Sequence, residues 1–327
     1  MIRFMFLYPV SLIVNIIVLF RNSLYDYKFL HQQESKKPII SVGNIQAGGA
    51  GKTPFVISLI KLLKDNNVKP LVITRGYKRK TSQQIIFKNI SEYTVEDVGD
   101  EPYHIKSLFL DIPIIIDHNK KEAVITANTF SNIDCIILDD GYQSRYIQKK
   151  LDIVLVNTWQ NIKEFKLMPL GSLREKINSL NRADFIYTTK GKHPSKLLSH
   201  YKTYPLNINY YLTRFNKNKA EHVNTIKSIK NKKIIAFSGI ANSNHFKDIL
   251  NELNINYDKI IPLKNHYKYN KNNSTIIDNE NIIYVTTYKD FFKLDLKKSS
   301  VYVVNMEIQI KHKLLIDKIL NMINEAN

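Results

Sequence analysis

Cysteine is almost missing from this chain of 327 residues: there is one, Cys135, inside an apolar run. An intrachain disulfide is therefore excluded, and the expectation is a reducing compartment with Cys135 as a core residue. Acidic residues are also scarce, 29 against 48 Lys and Arg, leaving a formal charge of +19. A field of that sign favours anionic partners: nucleic acid, acidic lipid or phosphorylated substrates. No dense arginine-rich tail concentrates the charge, so part of the excess reads as ordinary surface lysine. Internal repeats and long low-complexity tracts are absent, and Asn270-Lys271-Asn272-Asn273 reads as a surface turn. At 44% hydrophobic and 24% charged, the chain is globular, with length for one large or two ordinary domains.

One long apolar run is present. Phe4 to Phe20, bounded by Arg3 and Arg21, is about 17 residues, the lower edge of a bilayer span. No small-residue cleavage site follows it, which argues against a removed signal peptide. Residues 1–35 are thus expected to be a membrane-associated helix, spanning or interfacial, with its exit at Tyr25-Asp26-Tyr27-Lys28. Buried strands follow at Pro38 to Val42, Lys69 to Thr74, Pro113 to Ile116, Ile133 to Leu138, Leu151 to Val156 and Phe185 to Thr188. Helices at Phe55 to Leu63 and Lys120 to Asn128 lie between them. This alternation predicts an α/β core over 36–195, mainly parallel with helices on both faces and ligands bound beyond the carboxyl strand ends. Residues 196–327 read as a connecting segment and a smaller α/β domain. Its strands are expected near Lys233 to Phe237, Ile282 to Thr286 and Val301 to Val304, with a closing helix.

The first strand leads through Gly43-Asn44-Ile45-Gln46-Ala47-Gly48-Gly49-Ala50-Gly51 into Lys52-Thr53-Pro54 and a helix. Strand, glycine-rich turn and helix in that order is the setting of a phosphate-binding loop. Glycines let backbone N–H groups close around phosphate oxygens, and the helix N-terminus attracts the anion. Gln46, Ala47, Gly48, Gly49, Ala50, Gly51, Lys52 and Thr53 are the expected nucleotide contacts. Lys52 is placed to reach the terminal phosphates and the Thr53 hydroxyl to ligate Mg²⁺. Gln46 occupies the slot where the usual pattern has its first glycine, so Gly48 and Gly49 must supply the flexibility.

Phosphoryl transfer also needs a metal-holding acid and a base or orienter for the attacking hydroxyl. Asp139 and Asp140 close an apolar strand as a metal-binding carboxylate does. Adjacent residues there point to opposite faces, so one of the two, taken as Asp139, is expected to touch Mg²⁺. Asp100 and Glu101 open a helix, either as chemistry or as caps. Arg75, Arg145 and Arg174 suit bidentate phosphate contact. His266 is either catalytic or a loop residue.

Several blocks in order resemble one family, the tetraacyldisaccharide 4'-kinases of lipid A biosynthesis. They are Arg21-Asn22-Ser23-Leu24-Tyr25-Asp26, Gly43-Asn44 through Pro54, Thr74-Arg75-Gly76-Tyr77 and Val98-Gly99-Asp100-Glu101-Pro102. Leu138-Asp139-Asp140-Gly141-Tyr142-Gln143, Leu151-Asp152-Ile153-Val154 and Leu170-Gly171-Ser172-Leu173-Arg174-Glu175 follow. Gly239-Ile240-Ala241-Asn242, Asn265-His266-Tyr267-Lys268-Tyr269 and Thr287-Tyr288-Lys289-Asp290 complete the set. The resemblance implies an ATP- and Mg²⁺-dependent kinase whose acceptor is an acylated disaccharide. It implies Asp100 as the base, Asp139 and Asp140 at Mg²⁺–ATP, His266 assisting, and Asn44, Arg75, Gln143 and Arg174 toward substrate. It further implies a monomer at an anionic membrane surface, on the cytoplasmic face of a Gram-negative inner membrane, with no nucleic-acid partner. Three departures stand out: Ser144 where the family usually has His, Asn265 and Tyr267 in the His266 block, and Tyr288 in place of a glutamate. The rival readings are a nucleic-acid-binding ATPase using the basic surface, a nucleotide-regulated membrane adaptor, and a kinase for another glycolipid.

Overall fold

The described residues of the computed structural model are 2–158, 164–189, 195–216, 219–223, 232–239, 243–263, 281–291 and 301–326. They divide into two compact units, Met1–Asn207 with Ile308–Asn327, and Ile208–Glu307. In the first unit, α1 (Ile2–Asp26) precedes β1 (Ile39–Asn44), α2 (Lys52–Asp65), β2 (Pro70–Thr74), β3 (Ile85–Phe87), α3 (Val95–Val98) and α4 (Asp100–Leu108). Then come β4 (Ile114–Ile116), α5 (Lys120–Ala127), β5 (Cys135–Asp139), β6 (Leu151–Val156), β7 (Phe185–Thr188), α6 (Ser195–Leu198) and β8 (Thr203–Pro205).

The eight strands form one sheet in the order β3-β4-β2-β5-β1-β6-β7-β8. Every neighbouring pair is parallel except β3 with β4. β1 lies between β5 and β6, with Val42 opposite Asp139 and Asn44 opposite Leu155. The carboxyl ends of β1 and β5 therefore adjoin, which is where a doubly wound sheet opens its ligand crevice. Helix α2 buries Phe55, Val56, Leu59, Ile60 and Leu63, an i, i+3, i+4 stripe that fixes it to the sheet. Ala123, Val124 and Ala127 of α5 pack with Ile39, Leu71, Ile115, Ile136 and Leu138.

Helix α1 is polar on its packed side. Ser11, Asn15 and Asn22 are buried, while Leu12, Ile13, Ile16, Ile17, Leu19 and Phe20 are exposed. Among the described residues it is the one helix long and apolar enough to cross a membrane.

The second unit holds most of a six-stranded sheet. Its strands are β9 (Asn207–Asn216), β10 (Lys219–Val223), β11 (Lys233–Ser238), β12 (Lys259–Pro262), β13 (Ile282–Thr287) and β14 (Val301–Gln309), ordered β10-β9-β14-β13-β11-β12. Helix α7 (Ser243–Glu252) covers one face with Phe246 and Leu250 against Ile234, Ala236 and Val285. A short helix, α8 (Tyr288–Phe291), follows β13. Its buried Asp290 accepts hydrogen bonds from the Gly239 N–H at 2.9 Å and the Thr287 hydroxyl at 2.8 Å. The sequence blocks at Gly239 and Thr287–Asp290 thus meet in one turn.

Two boundaries differ from the sequence expectation. The unit edge lies after Asn207 rather than residue 195, because β8 pairs with β7 and extends the first sheet. The closing helix α9 (Lys313–Asn324) belongs to the first unit, not the second.

Candidate active site

The phosphate-loop cradle is assembled by side chains beneath it. Gln46 is buried; its amide donates to the Asn157 carbonyl at 3.0 Å and accepts from the Asn157 N–H at 2.7 Å. The Asn157 side chain, just past β6, donates to the Gly49 carbonyl at 2.8 Å. The Ala47 N–H reaches the Ser172 carbonyl at 2.6 Å, and buried Ala50 completes the turn. The buried Asn44 side chain donates to the Gly48 carbonyl at 3.4 Å. Gly51 precedes α2 with φ 75, a left-handed conformation that a side chain would strain. Lys52 and Thr53 then start the helix, with their backbone at its positive end.

At the end of β5 the two acids diverge. The Asp139 carboxyl accepts from the Thr74 hydroxyl at 2.9 Å, while its Oδ1 is buried with no partner among the described residues. Burial, with the Glu101 charge adding, pushes its pKa up to about 6 against the pull of Lys52. Asp140 sits at φ 50, a strained setting for a side-chain-bearing residue. Its carboxylate meets Lys52 Nζ at 3.3 Å and both its oxygens accept from Arg174, at 2.9 and 3.0 Å. Burial would raise its pKa, but Lys52, Arg174 and Lys120 outweigh that and hold it down to about 2. Two neighbouring carboxyls pushed apart in this way suit different tasks at one pH.

Glu101, whose charge adds to the burial that raises the Asp139 pKa, is the second residue of α4. Asp100 is the first residue of that helix. The N-cap of α4 is Gly99, with no side-chain cap, while the preceding turn α3 is capped reciprocally by Thr94 and Asp97. Gly76 joins the two loops: at φ 66, a Cβ on it would lie 2.8 Å from the Val98 carbonyl and collide with Ile116. Arg75 beside it is exposed, with no side-chain partner among the described residues. Gln143 donates to the Asn44 carbonyl at 2.9 Å, and its own carbonyl lies 3.4 Å from Arg174. Ser144 is buried in the turn after Asp140, its N–H on the Gly141 carbonyl at 2.9 Å. Arg145 turns away to Asp26, at 2.6 Å. His266, Asn265 and Tyr267 lie outside the described residues.

Two residues escaped the sequence reading. Buried Lys120, the first residue of α5, donates to the carbonyls of Asp139 and Asp140, each at 2.6 Å. Burial lowers its pKa to about 8. The other is Asn157. Neither lies in a recognisable motif, though each follows a predicted strand, where site residues of this fold collect.

A main-chain cradle, two cations on one carboxylate and a second acid with a spare oxygen answer the needs of a transferring phosphoryl group. The chain is a phosphate-loop α/β protein of the phosphotransferase kind. Within that class, the profile of the family described as tetraacyldisaccharide-1-P 4'-kinase (LpxK) matches residues 3–324, and the chain belongs to this family. It is 31% identical over 317 residues to a tetraacyldisaccharide 4'-kinase of Aquifex aeolicus, covering 96% of this chain and 97% of that one. A Parabacteroides distasonis enzyme of the same name is 39% identical over 185 residues, 56% of this chain and 49% of that protein. A crystal structure of an "apo" form of LpxK from Aquifex aeolicus in complex with ATP superposes with a TM-score of 0.78 at 29% identity. It covers 96% of this chain and 98% of that one.

Proposed function

We propose that the protein transfers the γ-phosphoryl group of ATP to the 4'-hydroxyl of a tetraacyldisaccharide 1-phosphate in lipid A biosynthesis. The observation that carries this reading is the meeting of Lys52 and Arg174 on Asp140 beside a preformed phosphate loop. With nucleotide present, the loop N–H groups hold the β- and γ-phosphates, and Lys52 and Arg174 turn from Asp140 to the anion. Asp100 accepts the hydroxyl proton, His266 assists, and Asn44, Arg75 and Gln143 orient the sugar.

Mg²⁺ fits the residues present: Asp139 offers a buried oxygen without a partner, and Thr53 stands in the first turn of α2. Among the described residues no group of three or more His, Cys, Asp or Glu could hold a metal. That agrees with an ion that takes one or two protein oxygens and completes its shell with phosphates and water. Bound there, Mg²⁺ neutralises charge on the β- and γ-phosphates.

The acylated substrate stays in a bilayer, and the exposed apolar face of α1 supports an enzyme that works at that surface. The +19 charge favours an anionic membrane face, here the cytoplasmic side of the inner membrane. A monomer suffices for this chemistry. The test is to incubate the protein with ATP and the disaccharide lipid in detergent and to locate the new phosphate by phosphorus NMR. A 4'-phosphate supports the reading; a phosphate on another position, or on another glycolipid only, replaces it.

A further inference from the structure

The packed side of α1 ends on Glu175 and Arg145, close in sequence to Arg174 and Gln143. The Asn22 side chain donates to Glu175 Oε2 at 2.8 Å, a buried contact across the chain. Arg182 reaches the same oxygen at 2.8 Å, and Arg21 lies 4.0 Å from the other. Glu175 is 1% exposed and directly follows Arg174. Leu173 bridges to Gln46 and the Arg174 N–H donates to the Ile45 carbonyl at 2.8 Å, after which the chain bends at Arg174 and Glu175. Glu175 held by Asn22 and Arg182 pins the bend from which the Arg174 guanidinium reaches Asp140 at 2.9 Å. One turn further along α1, Asp26 pairs with Arg145 at 2.6 Å, and the Tyr25 ring lies 5.8 Å from the same guanidinium. The Arg145 N–H donates to the Gln143 carbonyl at 2.9 Å, so this second tie ends on the other residue beside Arg174.

Anchoring alone explains none of this. A bilayer anchor needs an outer apolar face, which Ile13, Ile16, Ile17 and Phe20 supply. The buried amide of Asn22 costs free energy unless it is paired, and its partner adjoins a site residue. We infer that Asn22 and Asp26 are positioning residues for phosphoryl transfer: through Glu175 and Arg145 they set Arg174 and Gln143 against the transferring phosphate. The membrane helix is thereby part of the active-site wall. This inference rests on the kinase reading above.

The experiment uses the full-length protein in detergent micelles with saturating ATP and disaccharide lipid. A misplacement of about 1 Å costs on the order of a hundredfold in rate, so Asn22→Ala is expected to lower kcat between about tenfold and about a hundredfold. Sedimentation with anionic phospholipid vesicles stays at the wild-type value, because the apolar face is not touched, and the KM for ATP changes less than kcat does. The discriminating comparison is made in an Arg174→Ala background, where Asn22→Ala is expected to have no further effect on kcat. Asp26→Asn, at an exposed carboxylate whose loss leaves folding intact, repeats the test through Gln143 with a smaller loss of kcat. Wild-type kcat in both variants overturns the inference, and so does an equal loss from Asn22→Ala with and without Arg174. Wild-type protein that fails to label the lipid overturns the kinase reading itself, a separate outcome.

Discussion

Asp139 and Asp140 are neighbours with opposite electrostatics, and the difference comes from what each touches. Asp140 is held ionised by Lys52 and Arg174, whereas buried Asp139 accepts from a threonine hydroxyl and, among the described residues, keeps one oxygen spare. The sequence showed that two acids at a strand end face opposite ways, but the cations that claim Asp140 come from residues 34 and 88 positions away. Such partners are invisible without the fold. The assignment of Asp100 as base is tested directly. Asp100→Ala is expected to lower turnover by at least about a hundredfold, the lower end for removal of a general base, while nucleotide affinity measured by calorimetry stays near wild type. Lost ATP binding in the folded variant would contradict the assignment. Cys135 gives a simpler test. Buried in β5 with its thiol pushed up to about 12 by burial, it is expected to resist iodoacetamide in the native protein and to react once denaturant unfolds the chain. Rapid native alkylation, followed by mass spectrometry, would show that the strand is not packed as described.

At the scale of elements, the central strands were legible because they are continuous apolar runs buried on both faces. β6 and β7 match the expected limits of Leu151 to Val156 and Phe185 to Thr188. β3 and β8 were not anticipated, being three residues each and short of any periodicity. β10 and β12 lay in Lys- and Asn-rich sequence and are defined by pairing with β9 and β11. The phosphate loop was legible from its spacing, yet the reason it tolerates Gln46 was not. Gln46 and Asn157 exchange two hydrogen bonds, and Asn157 grips the Gly49 carbonyl, so side chains do what a glycine turn does elsewhere. Asn157→Ala keeps the main-chain pair with Gln46 but releases Gly49. Losing one such bond is worth about 1 kcal/mol, so the KM for ATP is expected to rise roughly fivefold to tenfold with the lipid KM unchanged. Steady-state kinetics with each substrate varied separately will check this; equal effects on both would mean general destabilisation.

For the whole molecule, the charge and the N-terminal run were plain in the sequence, but the orientation of α1 was not. Its apolar residues face outward because Ser11 and Asn22 have partners inside, Leu167 and Glu175. Ser11 and Asn22 tie one side of the helix to the catalytic unit, and the proposed membrane contact is through the opposite, apolar side. Flotation with anionic vesicles is expected to retain the wild-type protein and to release a Phe20→Ser/Ile16→Ser variant into the soluble fraction. Retention of that variant would move the membrane contact elsewhere. The return of the chain after β14 places α9 in the first unit, a link between distant residues that no local pattern records.

The central claim is that phosphate loop, Asp139–Asp140 pair and Arg174 together transfer phosphate to a lipid. The most direct measurement is transfer of radiolabel from the γ-position of ATP to disaccharide 1-phosphate in micelles, with Mg²⁺ and with chelator, for wild type and Asp140→Asn. Mg²⁺-dependent labelling of the lipid by wild type, lost by at least about a hundredfold in the variant, is the predicted result. Nucleotide binding without any labelled lipid, or labelling that Asp140→Asn leaves intact, would contradict it.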